Sequence, residues 1–184
     1  MAMPNQSKRP PFIVSAYSIA ELAHHYPNSD ENTGHRRPIG QVAGLQKIGL
    51  NLVRLPPGER SSWPHAEEKE EEFVYVLEGQ VDAWIDGSIH PMGPGDLAAL
   101  PAGTGICHCF LNNSEHDALL LVGGEASRRD NRIYYPLHPE RRGQLPWIEW
   151  WENVPKRSSG AHDGMPDALR KRAAGSSTQR SRKK

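Results

Sequence analysis

Turn residues interrupt the middle of this chain at roughly ten-residue intervals, a spacing that leaves room for short strands and almost none for helices. Pro56-Pro57-Gly58, Glu78-Gly79, Asp86-Gly87, Gly93-Pro94-Gly95-Asp96 and the turn over residues 101–105 separate apolar runs of four to eleven residues. The run LQKIGLNLVRL places Ile48, Leu50 and Leu52 at alternate positions, the period of a strand with one buried face. Residues 73–77, 81–85, 97–100, 107–111, 118–122 and 132–135 read as further strands. Asp86-Gly87, directly after the run 81–85, is a strong hairpin signal. Seventeen glycines and sixteen prolines fit this punctuation. The expected fold is all-β, a sandwich or barrel.

The rest of the chain divides around that core. Residues 1–44 read as an N-terminal arm and loop. Within them residues 18–25 suggest a short helix, with Ser18 as cap, Glu21 at the capping-box position and Leu22 apolar. Residues 27–41 read as a loop, residues 45–125 as the barrel core, and residues 126–155 as an extension packing on it. Residues 156–184 lack apolar periodicity and are expected to form a disordered basic tail. That tail is either an electrostatic arm for a partner or a solubilising extension.

Charge narrows the partners. The net charge is zero, but the tail holds nine Lys and Arg against Asp163 and Asp167, about +7, so the first 155 residues carry about −7. The barrel therefore lacks the basic surface that nucleic acid needs. No stretch approaches the roughly 20 apolar residues of a membrane span. The N-terminal residues lack the apolar core of a secretory signal, and the cytoplasm is the expected compartment. Cys107 and Cys109 stand one residue apart, where a mutual disulfide is strained, and they are expected to be core residues.

Two segments carry the chemistry: GERSSWPHAEEKEEEFVYVLEG and PGDLAALPAGTGICHCFLN. Together they resemble the two motifs of the cupin superfamily, specifically the RmlC-like bacterial single-domain cupins. His65 matches the first motif histidine, Glu72 its glutamate, and Gly79 the glycine seven residues beyond. Glu67 stands where the family has a second histidine. In the second motif Gly95, Pro101, Gly103, His108 and Asn112 match, with two extra residues between Gly103 and His108. The resemblance covers residues 45–125. It implies a double-stranded β-helix, the jelly-roll cupin barrel, holding one divalent metal ion (Mn, Fe, Ni or Zn) through His65, Glu67, Glu72 and His108.

Strand geometry agrees with this assignment. Alternate side chains share a face, so Glu72 goes with Val74 and Val76, and His108 with Phe110, opposite Cys107 and Cys109. His65 and Glu67 share a face if their segment is extended. A sheet closing on itself can bring all four to one interior point, where imidazole and carboxylate donors bind a divalent ion. Glu68, Glu70 and Glu71 read instead as solvated acids, and His90, His116 and His138 as surface residues. Trp63, Trp84, Tyr75 and Phe110 either line a pocket or simply pack. Two carboxylates favour Mn(II) or Fe(II) over a thiophilic metal, and they cancel the ion's charge, which weakens its pull on anionic substrates.

The resemblance implies a small-molecule ligand and an activity of the isomerase, lyase or dioxygenase type. The alternative is a non-catalytic cupin that binds or senses a sugar or metabolite. No catalytic acid–base pair is legible, although Tyr75, His90 or Arg54 could reach a pocket mouth. A homodimer is expected, with residues 45–55 a candidate strand at its interface.

Overall fold

Alternation sets which side of each strand is buried. The computed structural model describes residues 9–144 and 149–172. In order along the chain its strands are β1 (Leu22–His25), β2 (Asn32–Arg37), β3 (Ile48–Leu55), β4 (Ala66–Glu67), β5 (Glu72–Glu78), β6 (Val81–Ile85), β7 (Ser88–Met92), β8 (Leu97–Leu100), β9 (His108–Leu111), β10 (Ala118–Glu125), β11 (Arg132–Tyr134) and β12 (Glu149–Trp150). They form one six-stranded sheet, β1-β2-β3-β10-β5-β8, and two three-stranded sheets, β7-β6-β9 and β12-β11-β4. All pairings are antiparallel except β11 with β12.

The main core lies between the large sheet and β7-β6-β9. Val53, Leu55, Val74, Val76 and Leu120 meet Val81, Ala83 and Phe110 there. Each fully buried aliphatic or aromatic side chain contributes roughly 1.5–3 kcal/mol, so this layer is the main source of stability. Asp86 and Gly87, both at positive φ, form the two-residue β6–β7 hairpin expected from the sequence. A second cluster covers the outer face of β6 and β9, where Trp84, Cys107, Cys109 and Leu111 pack with Ala66 and Trp151. The cysteines are free and buried, and burial pushes both thiols up to about 12.

Three local expectations need correction. Residues 18–25 are not a helix. A 3-10 turn spans Ala16–Ser18, and β1 follows, paired with β2. Glu21 caps nothing; its carboxylate takes three hydrogen bonds from Arg54, which ties β1 to the sheet. Residues 27–41 are not a plain loop, because they contain β2 and a one-turn helix, α1 (Ile39–Val42). The candidate interface strand over residues 45–55 is no edge, since β3 pairs with β2 on one side and β10 on the other.

Of the tail expected to be disordered from residue 156, residues 156–172 lie along the barrel, and residues 173–184 lie outside the described residues. Gly160 N donates to Asp86 O, His162 N to Gly87 O, and Trp84 Nε1 to His162 O. Arg60 Nη1 reaches Gly164 O at 2.8 Å. These contacts are mostly backbone-mediated, so they leave no apolar pattern to read. Among the described residues no helix is long and apolar enough to cross a membrane.

Candidate metal centre

A pair of reciprocal backbone bonds builds the site. His65 N donates to His108 O at 3.1 Å and His108 N to His65 O at 2.9 Å, which sets the two imidazoles side by side with centroids 4.6 Å apart. Glu72 opens β5 directly opposite Gly124 of β10. A Cβ at Gly124 would overlap the Glu71 carbonyl, so only glycine lets β10 pass this close to the start of β5.

Ligand-type atoms of His65, Glu72 and His108 all lie within 4.8 Å of one another. Glu72 Oε2 stands 3.1 Å from His108 Nε2 and 3.5 Å from His65 Nε2. Glu67 stands beside this trio, its Oε1 3.7 Å from His65 Nε2 and its Oε2 hydrogen-bonded by Asn131 Nδ2. Donors sharing one ion at about 2.1 Å sit roughly 3.0–4.2 Å apart, and these separations fall in that window. Each histidine also has its Nδ1 facing a backbone carbonyl, His65 on Trp63 O at 2.8 Å and His108 on Ile106 O at 3.2 Å. That arrangement holds a proton on Nδ1, so once Nε2 gives up the proton it donates to Glu72 its lone pair is free for a metal. The residues present therefore fit a divalent ion.

The charges in the cluster are strongly coupled. Burial disfavours ionised Glu72, but hydrogen bonds from His108 and His65 outweigh it and hold the carboxyl well below the usual range. Burial alone would lower His65, yet Glu72 and Glu67 raise it to about 9. Burial pushes Glu67 up to about 7, with His65 opposing and Glu72 adding to the rise. A cation at this point is thus favoured electrostatically, whether a proton on His65 or a metal ion.

The four residues lie in the wall of a cavity of about 420 Å³. Val53, Val74, Phe110 and Val122 give it apolar walls, and Tyr26, Arg36, Tyr135 and Arg141 add a polar side. Phe110 is the one lining residue among the four aromatics singled out from the sequence; Trp63, Tyr75 and Trp84 pack elsewhere. Tyr75, His90 and Arg54 do not reach the cavity, and Arg54 is occupied by Glu21 and Asp117. His90 and His116 are exposed as expected. His138 is half-buried rather than freely exposed: its ring stacks on Trp63 at 3.9 Å, and burial lowers its basicity. Sequence reasoning missed Tyr26, Arg36, Asn131 and Arg141, which lie outside the two motifs and follow no spacing rule.

Comparison with known proteins covers the same region. The family described as Cupin domain matches residues 51–123. A sugar phosphate isomerase of the cupin superfamily from Silicibacter pomeroyi is 36% identical, superposes with a TM-score of 0.63, and is matched over 67% of this chain and 80% of its own. The polyketide cyclase RemF from Streptomyces resistomycificus shares the fold at a TM-score of 0.55 and 22% identity, over 69% of this chain and 84% of its own. Polyketide synthase CurC from Streptomyces cyaneus is 32% identical over 83 residues, 45% of this chain; the chain spans about half the length of this curated relative. The antiparallel barrel, the paired histidines opposite Glu72 and a relative matched over four-fifths of its length lead to one family, and the chain belongs to the cupin superfamily.

Proposed function

We propose that this protein is a divalent-metal enzyme that isomerises a small polar molecule by proton transfer. The observation that carries the reading is the spacing of 3.1–3.7 Å between the Nε2 and carboxylate oxygen atoms, with both Nδ1 atoms tied to carbonyls. The ion, when bound, supplies Lewis-acid polarisation of a substrate oxygen. His65 and His108 hold it through Nε2, and Glu72 through Oε2. Glu67 Oε1, 3.7 Å from His65 Nε2 and outside the trio that holds the ion, takes a substrate proton and returns it. The 36% identity with a sugar phosphate isomerase supports the isomerase class over the lyase and dioxygenase classes.

Elemental analysis of the purified protein, with turnover of a panel of sugars, sugar phosphates and keto acids, tests the reading. About one equivalent of metal and turnover of one class are expected. Glu72→Gln or His108→Ala is expected to weaken metal binding by at least about a hundredfold. Glu67→Gln separates two roles: unchanged metal affinity with lost turnover makes Glu67 the base, and lost affinity makes it the fourth ligand. Bound metal and measurable ligand binding without turnover of any class would instead make the protein a sensor. The same proposal places the protein in the cytoplasm as a homodimer that pairs through an open sheet edge.

A further inference from the structure

Most arginines of the described residues are committed to carboxylates. Arg37, Arg54, Arg60, Arg128, Arg132, Arg142, Arg157 and Arg170 each have one within 4.0 Å. Arg60, 1% exposed, shows what a buried guanidinium ordinarily does here: Nε and Nη2 both bond Glu31. The two arginines that line the cavity behave differently. Among the described residues neither Arg36 nor Arg141 has a carboxylate within 4.0 Å, although Glu72 of the same cavity lies near enough to Arg36 to stabilise its charge.

Arg141 is the sharper case. It is 4% exposed, and its Nε and Nη1 are buried with no hydrogen-bond partner among the described residues. Three aromatic rings hold the cation, with Cζ 4.8 Å from Tyr26, 5.4 Å from Trp63 and 5.4 Å from Tyr135. Ring faces compensate the charge but accept none of the in-plane N–H bonds. The position is built and firm, because His138, three residues earlier, stacks on the same Trp63. Arg36 donates one bond, Nη2 to Ser61 O at 3.1 Å. The Tyr135 ring stands 5.8 Å from the His65 ring, so Arg141 lies one aromatic ring away from the candidate metal ligands.

We infer that Arg36 and Arg141 form an oxyanion subsite in this cavity, so that the ligand is a small molecule whose polar end meets the metal and whose phosphate or carboxylate meets the two guanidinium groups. The inference rests on reading the cavity as a substrate site and adds the substrate's class. It also removes an electrostatic difficulty. With Glu72 on the ion and Glu67 beside it, two carboxylates offset the ion's charge, so attraction for an anion has to come from elsewhere in the cavity. A guanidinium fork matches phosphate and carboxylate geometry with paired donors.

Calorimetric titration of the full chain tests this, both as purified and after chelation. The probes are inorganic phosphate, glucose 6-phosphate, glucose and pyruvate. Expected results are binding of glucose 6-phosphate and phosphate if the subsite takes phosphate, or of pyruvate alone if it takes carboxylate, with glucose weaker by at least tenfold. Arg141→Met and Arg36→Met should each weaken the bound anion roughly tenfold to a hundredfold while leaving metal content unchanged. Arg141→Lys should recover part of the loss, and it guards against a variant that fails to fold. Wild-type protein that binds neither phosphate, glucose 6-phosphate nor pyruvate overturns the inference, as do methionine variants that bind the anion as wild type does. Loss of metal on purification with anion binding retained would sink the metal reading and leave the subsite standing.

Discussion

Glu67 and Glu72 both stand within 4 Å of His65 Nε2, yet their surroundings drive them in opposite directions. Two imidazoles stabilise the charge on Glu72, whereas Glu67 is buried with one amide donor and a like charge nearby. His24, at the other side of the cavity, makes a cleaner probe of burial. Its Nδ1 bonds Thr33 Oγ1 at 2.6 Å, and desolvation, with Arg36 and His25 nearby, lowers it to about 4. The unfolded chain binds a proton near pH 6.5 that the folded chain refuses until about pH 4. The stability associated with neutral His24 is therefore complete above pH 6.5 and drains as the pH falls towards 4. Between pH 7.5 and 4.5 wild type should lose roughly 1–3 kcal/mol more than His24→Asn, read from urea midpoints, after allowance for partial exposure. Equal losses would remove His24 from the acid sensitivity. At this scale the resemblance to the cupin motifs singled out His65, Glu72 and His108; strand alternation alone only grouped Glu72 with Val74 and Val76, and His108 with Phe110. Arg36 and Arg141 were hidden because the fold, not the local sequence, decides which arginines lack a carboxylate.

Strand identity was legible wherever apolar alternation met a turn signal. Thus β5, β6, β8, β9 and β10 lie within a few residues of where the turns placed them. The pattern failed where a strand buries little. β1 reads LAHH and β2 reads NTGHRR, and their polar side chains face the cavity, solvent and ion pairs rather than the core. Residues 156–172 were illegible for a related reason, since backbone atoms make most of their contacts. Gly87 and Gly160 are the closest point, and a Cβ on either would overlap the other's backbone. Gly160→Val should therefore lift this segment from the β6–β7 hairpin and cost roughly 1–3 kcal/mol. Limited proteolysis would read the release as faster cleavage between residues 156 and 172, with metal affinity unchanged. Wild-type cleavage rates would mean that the segment contributes little.

For the whole molecule, the large sheet ends, among the described residues, at the edges β1 and β8. β8 carries Leu97, 59% exposed, and β1 carries Leu22, 58% exposed. A homodimer using the β8 edge predicts a solution mass near twice 20.5 kDa for wild type and near one copy for Leu97→Lys, measured by light scattering. A single-copy mass for wild type at micromolar concentration would end that proposal. Residues 156–172 have another consequence, which concerns the order of synthesis. The last strand of the main core ends at Glu125, but the acceptor for Trp84 Nε1 arrives only with His162, and that for Arg60 Nη1 with Gly164. At 5–20 residues per second a ribosome needs roughly 2–8 s to make that stretch. During those seconds Trp84 Nε1 and the Arg60 guanidinium lack these carbonyl partners, so the nascent barrel holds buried donors that only the last part of the chain can satisfy.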